Sequence, residues 1–315
     1  MITTLGASEL RVTRIGLGLA ALGRPAYINV GHAFDVEGET DVSALEHHAH
    51  GVLDAAYAGG VRYFDAARSY GKAEAFLASW LGSRGLGPED VTVGSKWGYT
   101  YTADWRIDAD EHEVKDLTAA TFRRQLAETR ELLGRYLRLY QIHSATLESG
   151  VLEDAEVREE LAALRATGVL VGLTTSGPRQ AETIERALAV GGFDCVQSTW
   201  NLLERSAGPA LAAAHEAGWG VIVKEALANG RLTDRGAVPE LADAASEAGA
   251  TADALALASV LAQPWVDVVL SGAATVGQLQ SNLSALGLEV GAARFDGMVE
   301  DPETYWEKRS ELPWN

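Results

Sequence analysis

Short apolar runs alternate with longer amphipathic stretches along almost the whole chain. Eight apolar runs, typical in length of buried parallel strands, begin near Ile15, Val61, Val91, Leu137, Val169, Phe193, Gly220 and Val266. Stretches with helical spacing of apolar residues lie between or after these runs, at 44–58, 72–81, 117–133, 156–165, 180–190, 208–217, 252–262 and 276–286. This alternation predicts a (β/α)8 TIM barrel, and an open doubly wound sheet is the alternative. No linker rich in Pro, Gly or Ser interrupts the pattern, so residues 1–315 are predicted to form one domain.

Four segments do not fit the simple alternation. Residues 3–5 and 10–13 predict a β-hairpin that precedes the first barrel strand and closes the barrel floor. An irregular insertion covers 24–40, and a long loop with several aromatic residues covers 97–116. The tail after Val290 is expected to fold back over the carboxyl-terminal face of the barrel, where the long loop lies. Long loops at the carboxyl-terminal face of a barrel commonly build its substrate pocket, so we expect the 97–116 loop to contribute to one.

Composition narrows the classes of partner and compartment. The net charge of −18 argues against a nucleic-acid surface, because a phosphate backbone would be repelled. Cys195 is the only cysteine and lies in an apolar run, which indicates a buried, unreactive thiol. The first residues lack the pattern of a secretion signal, and no apolar segment reaches the roughly 20 residues needed to span a bilayer. A cytoplasmic protein that binds neither membrane nor nucleic acid is therefore expected.

A cluster of histidines invites a metal interpretation, which the sequence does not favour. His47, His48 and His50 lie close together, but no paired Cys or carboxylate accompanies them. They open a predicted surface helix, and a solvated helix face is the simpler interpretation. We therefore predict no metal site.

Four polar residues at strand ends carry the chemistry. Asp65, Lys96 and His143 each end an apolar run, and Tyr70 follows the first of them by five residues. Taken singly, each has a structural explanation, such as packing, capping or solvation. Because the carboxyl ends of parallel strands converge on one face, the four are expected to form one proton-donating site. The Lys96 ammonium would lower the pKa of the Tyr70 phenol from its usual value of about 10, Asp65 would hold the lysine, and His143 would donate to a substrate oxygen.

The segments around these residues resemble those of the aldo-keto reductase family. Residues 60–74, GVRYFDAARSYGKAE, resemble the family's first signature, which supplies an aspartate and then a tyrosine followed by glycine. Ser95-Lys96 and Gln141-Ile142-His143 resemble the segments that carry its lysine and histidine. The resemblance runs over nearly the whole chain. It implies a (β/α)8 barrel that uses a nicotinamide cofactor, NADP or NAD, with all four catalytic positions filled.

The same resemblance implies a cofactor site across the last four strands. Gly16-Leu17-Gly18 alone is a weak signal, although Gly18 is included in the site. Thr174, Thr175 and Gln197 match the residues that hold the carboxamide, and the loop with Leu227 and Arg231 resembles the one that crosses the pyrophosphate. The segment 271–282 resembles the adenosine-phosphate loop, and it places Gly272, Ala274, Gln278 and Asn282 in the site.

Two positions depart from the family pattern. Lys224 stands where relatives often carry an aromatic that stacks on the nicotinamide. Ala274 and Thr275 stand where many relatives have a basic residue for the 2′-phosphate. A phosphate without a cation loses charge-assisted hydrogen bonds worth roughly 1.5–3 kcal/mol each. The hypothesis is therefore that NAD(H) is used at least as well as NADP(H).

The sequence leads to one main functional prediction and two alternatives. The main prediction is an NAD(P)-dependent oxidoreductase that interconverts a carbonyl (aldehyde, ketone or sugar) and an alcohol, an aldo-keto reductase or alcohol or sugar dehydrogenase. Its small-molecule substrate is expected to contact Trp97, Trp105 and Trp200. One alternative is a non-catalytic nicotinamide-binding redox sensor or partner subunit on the same barrel. The other, a barrel hydrolase or isomerase, has no paired carboxylates or metal ligands to support it.

Overall fold

The strands of the protein form one closed barrel and two small antiparallel ribbons in a computed structural model that describes residues 2–36, 39–290 and 292–315. In chain order the strands are β1 (Ile2–Thr4), β2 (Arg11–Thr13), β3 (Ile15–Gly18), β4 (Tyr63–Asp65), β5 (Thr92–Trp97), β6 (Tyr99–Tyr101), β7 (Glu113–Lys115), β8 (Leu137–Ala145), β9 (Leu170–Thr175), β10 (Cys195–Thr199), β11 (Gly220–Lys224) and β12 (Val268–Ser271). The parallel barrel has the order β3-β4-β5-β8-β9-β10-β11-β12 and closes between β12 and β3.

Helices follow the barrel strands and cover the outside of the barrel. They are α1 (His32–Asp35), α2 (Val42–Ala58), α3 (Ala73–Arg84), α4 (Ala119–Leu133), α5 (Ala155–Arg165), α6 (Gln180–Val190), α7 (Gly208–Glu216), α8 (Pro239–Ala248), α9 (Ala252–Leu261), α10 (Val276–Ser284) and α11 (Pro302–Ser310). Several begin at a side-chain cap, as when Asp41 accepts from the backbone N–H of Ala44. Their buried faces pack on the outward-facing strand residues to form the main core.

The predicted (β/α)8 barrel is confirmed, and all eight strand candidates become barrel strands. The eight predicted helices correspond to α2–α7, α9 and α10, and their ends differ from the prediction by three residues or fewer. Five of the described elements were not predicted. α1 lies in the insertion 24–40, α8 in a stretch without a predicted element and α11 in the tail, and β6 and β7 form a hairpin within the predicted loop 97–116.

The predicted hairpin at the barrel floor is also confirmed. β1 pairs with β2, and Leu5, Leu10 and Val12 pack against barrel residues such as Tyr63 and Ile222. Gly6 lies between the two strands with φ +54°, and a Cβ there would come within 2.4 Å of the Gly220 backbone nitrogen. Only glycine allows this close approach. The hairpin therefore seals the amino-terminal end of the barrel with apolar side chains.

The strand order decides which residues face each other across the open end of the barrel. β5 and β11 are separated by three strands on either side, and so are β4 and β10. Lys96 near the end of β5 therefore lies across the barrel from Lys224 at the end of β11, and Asp65 lies across it from the end of β10. A ligand between these ends contacts both sides of the barrel.

Candidate active site

Lys96 joins two of the other predicted catalytic side chains, Asp65 and Tyr70, by hydrogen bonds. The Lys96 ammonium donates to the Asp65 carboxylate, to the Ala66 carbonyl at 2.9 Å and to the Tyr70 hydroxyl at 3.3 Å. Asp65 is 0% and Lys96 1% exposed. An ion pair this deeply buried needs several hydrogen bonds to offset its desolvation, and Lys96 has all three of its protons directed at oxygen.

The turn that carries Tyr70 is held against the loop after β3. Lys72 donates its backbone N–H to the Gly23 carbonyl at 2.7 Å, and a Cβ on Gly23 would come within 2.2 Å of the Tyr70 carbonyl oxygen. Arg24 follows Gly23, with its guanidinium carbon 5.5 Å from the centre of the Tyr70 ring. The phenol is therefore fixed between Arg24 and Lys96.

His143 completes the group. Its ring lies edge-on to that of Tyr70, with the ring centres 5.5 Å apart and an interplanar angle of 82°. On another side the Tyr99 ring centre is 5.0 Å away, and the Ser69 hydroxyl lies 3.4 Å from Nδ1. The structure thus brings the four predicted residues to one point at the carboxyl-terminal face.

Burial sets the protonation of the two rings. It raises the pKa of Tyr70 well above its usual value, with a further contribution from Asp65, and the opposing effect of Arg24 is smaller. The expectation that Lys96 would bring this pKa down is wrong for the protein alone, because desolvation of a phenolate is the larger effect. Burial, followed by the charges of Lys96 and Lys224, holds the pKa of His143 well below its usual range. Both rings are neutral at pH 7.

A cleft of about 550 Å³ opens beside these residues. Seven of the predicted cofactor residues line it, namely Gly18, Gln197, Lys224, Leu227, Gly272, Gln278 and Asn282. A Cβ on Gly272 would meet no heavy atom within 4 Å, so the backbone there faces open space. The cleft thus joins the predicted catalytic residues to most of the predicted cofactor residues, as a site for a nicotinamide dinucleotide would require.

Four predicted cofactor residues lie behind the wall of the cleft. Thr174 accepts from the Ser144 backbone N–H at 2.7 Å, and Thr175 shares a 2.7 Å hydrogen bond with Ser198. Arg231 pairs with Glu300 at 2.6 Å. Ala274 is buried, and its carbonyl oxygen is hydrogen-bonded to His48. These predictions are corrected: the four side chains support the cleft walls rather than line them.

The three predicted substrate tryptophans also lie outside the cleft. Trp97 is fully buried and packs edge-on against Phe122 of α4, with ring centres 5.1 Å apart. Trp200 packs against Trp265 at 5.7 Å, and Trp105 donates to the Thr40 carbonyl at 2.7 Å. Side chains alternate along a strand, so Trp97 must point outward because Lys96 points inward. The substrate prediction is therefore corrected for the buried Trp97 and Trp200, and a substrate contact of the half-buried Trp105 stays a prediction.

Sequence reasoning missed a strap across the cleft, formed by residues 27–35, 228–235 and 314–315. Val30 donates to the Asn229 carbonyl at 3.0 Å, and Arg235 pairs with the Asp35 carboxylate and donates to the Gly31 carbonyl at 3.0 Å. Asn315 donates its side-chain amide to the Asn29 carbonyl at 2.6 Å. Residues 27–35 of the irregular insertion 24–40 thus form part of the strap, and residues 37 and 38 lie outside the described residues. Its contacts join residues about 200 or more positions apart, a separation for which the sequence carries no local signal.

Neither a membrane helix nor a metal cluster is found within the described parts of the chain. None of the helices in those parts is both long and apolar enough to cross a bilayer. No group of three or more His, Cys, Asp or Glu among the same residues is placed to hold a metal ion. His48 contacts a backbone carbonyl, and His50 contacts Ser79 at 2.9 Å.

Comparison with known proteins assigns the chain to a family. Residues 14–298 match the sequence model of the Aldo/keto reductase family, and the chain therefore belongs to that family. Its members generally catalyse NAD(P)-dependent carbonyl reduction. The protein is accordingly an oxidoreductase of the aldo-keto reductase class.

Individual relatives are distant but match over most of their length. The uncharacterized oxidoreductase YqkF of Bacillus subtilis is 23% identical, and the match covers 89% of this chain and 89% of YqkF. The uncharacterized oxidoreductase YrpG of the same organism is 24% identical, and the match covers 91% of both chains. The holo form of aldo-keto reductase AKR11C1 from Bacillus halodurans superposes with a TM-score of 0.72 at 21% identity, covering 98% of this chain and 95% of that one. PA4992 from Pseudomonas aeruginosa, assigned as an aldo-keto reductase, gives 0.66 at 27% identity, covering 92% and 96%.

Proposed function

We propose that this protein interconverts a carbonyl compound and its alcohol by hydride transfer, with Tyr70 as general acid and base. The observation that carries the proposal is the hydrogen-bonded series from Asp65 through Lys96 to Tyr70, at the inner end of the cleft. The bound nicotinamide cofactor supplies or accepts the hydride. The chain supplies the proton, its acceptor and the positions of both reacting atoms.

Tyr70 donates its proton as negative charge develops on the substrate oxygen. The phenol is neutral before the reaction, because burial raises its pKa. Lys96 then donates to the phenolate oxygen that remains, and the positive charge stabilises it at the moment it forms. Asp65 keeps the ammonium in place. In alcohol oxidation the same groups act in reverse, and the phenolate accepts the proton.

His143 orients the substrate oxygen as a neutral hydrogen-bond donor. The Ser69 hydroxyl lies 3.4 Å from Nδ1, and we assign the ring proton to Nε2, so that Nδ1 accepts from Ser69 and Nε2 donates to the substrate. A neutral donor suits this place because a charged imidazolium would compete with Lys96 for the phenolate. The low pKa of His143 ensures the neutral form.

Gln197 has a structural role in addition to the expected one. Its Nε2 donates to Asp65 at 2.7 Å and to Gln141 at 3.4 Å. The hydrogen bonds of Gln197 to described residues thus use the amide nitrogen of its side chain and leave Oε1 as an acceptor. Oε1 is the atom proposed to accept from the NH₂ of a nicotinamide carboxamide.

The far end of the cleft favours NAD(H). Asp253 lines the cleft beside Ser281, whose hydroxyl donates to it at 3.0 Å, and Gln278 and Asn282 are close by in sequence and in the cleft wall. Arg235 also lines the cleft, but its guanidinium is held by Asp35 and two backbone carbonyls. A 2′-phosphate would meet a carboxylate and an occupied cation. A preference for NADP(H) of about a hundredfold, equivalent to about 2.8 kcal/mol, would contradict this proposal.

Replacement of Tyr70 by phenylalanine tests the reaction. Turnover of a panel of aldehydes, ketones and sugars is followed by the absorbance of the reduced cofactor, and cofactor affinity by titration calorimetry. Tyr70→Phe should reduce kcat by about 10³-fold or more without changing cofactor affinity. Tyr57→Phe is the control, since Tyr57 lies on α2 and packs on Trp80. Near-normal turnover in Tyr70→Phe would refute the assignment, and a wild-type protein that binds cofactor without any turnover would favour the redox-sensor alternative.

A further inference from the structure

Lys224 lines the cleft, and among the described residues no carboxylate lies within hydrogen-bond distance of its ammonium group. Among the described residues of the cleft wall, four other cations each lie within hydrogen-bond distance of a carboxylate: Lys96 with Asp65, Arg24 with Glu113, Arg235 with Asp35 and Arg309 with Glu225. The Lys224 Nζ lies 4.0 Å from Glu225 Oε1, beyond hydrogen-bond distance. Lys224 donates instead to the Thr199 hydroxyl at 3.0 Å.

Glu225 does not neutralise Lys224, because its carboxylate is already engaged. Arg309 donates to Glu225 Oε1 twice, at 2.6 and 3.1 Å, and Thr199 donates to Oε2 at 3.1 Å. The group of Lys224, Glu225 and Arg309 therefore carries one net positive charge. Burial lowers the pKa of Lys224 to about 8, which still leaves the ammonium mostly protonated at pH 7.

The position of Lys224 relative to the hydride follows from the strand order. The substrate oxygen is proposed to lie at Tyr70 and His143, which belong to the β4–β8 side of the mouth. Hydride transfer needs the donor ring within van der Waals contact of the substrate carbon. A ring that reaches this carbon from the opposite side of the cleft would lie between it and the strand ends facing β5, and Lys224 ends β11, which is opposite β5. The ammonium would then lie on the side of the ring away from the substrate.

A fixed positive charge at this place acts differently on the two oxidation states. The nicotinamide ring carries a positive charge when it is oxidised and none when it is reduced. Repulsion between Lys224 and the ring therefore raises the free energy of the oxidised complex alone, and a buried site screens this repulsion poorly. We infer that Lys224 makes the cleft distinguish the oxidation states of the cofactor, binding the reduced form more tightly and releasing the oxidised form more readily.

The inference rests on the proposed function and is tested by binding, without turnover. Titration calorimetry gives Kd for the reduced and the oxidised cofactor with wild-type protein, Lys224→Met and Lys224→Arg. Methionine keeps the length of the side chain and removes its charge, and arginine keeps the charge. Lys308→Met serves as the control, because it removes the same charge from an exposed lysine on α11 that pairs with Glu300.

We expect the ratio of Kd for the oxidised form to Kd for the reduced form to fall at least tenfold in Lys224→Met. A tenfold change corresponds to about 1.4 kcal/mol. The fall should come from tighter binding of the oxidised form, and Lys224→Arg and Lys308→Met should keep the wild-type ratio. An unchanged ratio in Lys224→Met, or an equal change in both constants, overturns the inference and leaves the proposed function standing. Wild-type protein that binds neither form overturns both.

Discussion

Gln197 reaches across the barrel and donates from Nε2 to Asp65 Oδ2 at 2.7 Å. Asp65 thus has one oxygen toward Lys96 and the other toward the opposite side of the barrel. Asp65 is 0% and Gln197 is 1% exposed, so both partners of this hydrogen bond are buried. The carboxylate that holds the proposed catalytic lysine is itself held by a strand that carries none of the four proposed catalytic residues, so the geometry of the site depends on closure of the barrel.

Gln197→Leu tests this support. Loss of the amide leaves a buried carboxylate oxygen without its donor, which should lower the free energy of unfolding by about 1–3 kcal/mol. Urea unfolding measures the change, and Gln280→Leu on the exposed side of α10 should change it by less than about 0.5 kcal/mol. A Gln197→Leu protein as stable as the wild type would show that the cross-barrel bond contributes nothing.

The pair of Glu225 and Arg309 predicts a pH dependence of stability. Arg309 and Lys224 hold the pKa of Glu225 at about 2, below its usual 4.5, despite an opposing effect of burial that is the largest single influence. Because the folded-state pKa is depressed, the ionised carboxylate stabilises the fold above about pH 4.5, and this contribution is lost as the pH falls toward 2. The shift corresponds to about 3 kcal/mol at most.

Glu225→Gln should therefore flatten the acid limb of the stability profile. Between pH 5 and the acid unfolding transition, the wild type should lose free energy of unfolding more steeply than the variant, as measured by urea unfolding at each pH. The exposed Glu303 on α11 supplies the control, since Glu303→Gln should keep the wild-type slope. Parallel profiles for wild type and Glu225→Gln would contradict the prediction.

Asp253→Asn tests the proposed basis of cofactor preference. Removal of the carboxylate beside Ser281 removes a repulsion that only a 2′-phosphate would feel. The ratio of kcat/KM for NADPH to that for NADH should rise about tenfold, which is about 1.4 kcal/mol. Asp243→Asn on the exposed face of α8 is the matched control. The prediction is wrong if the two variants give the same ratio.

The sequence predicted the elements whose causes are local. Barrel strands and helices follow from the spacing of apolar residues, and the four polar residues follow strand ends that a parallel barrel brings together. Trp97 and Trp200 were misplaced because a tryptophan at the end of a strand satisfies packing as readily as binding. The position of Trp97 could have been deduced, since its neighbour Lys96 must face inward.

The cleft rim could not be predicted for a different reason. Arg24 meets Glu113, and Arg235 meets Asp35, across 89 and 200 positions of chain respectively. Each residue alone reads as an ordinary surface charge. Only the folded barrel brings the insertion and the loop after β11 to the same edge, so the strap and the pairing that leaves Lys224 unmatched are properties of the tertiary structure.

The hairpin formed by β1 and β2 bears on how Tyr70, the proposed general acid, regains its proton. Leu5, Leu10 and Val12 fill the amino-terminal end of the barrel with apolar side chains, whereas Tyr70 lines the cleft at the other end. If Tyr70 gives up its proton in each reduction, as proposed, we expect the replacement to come through the cleft that admits the substrate. Tyr70 would then be reprotonated only after the alcohol product has begun to leave. A single opening would therefore place product release before reprotonation in each catalytic cycle.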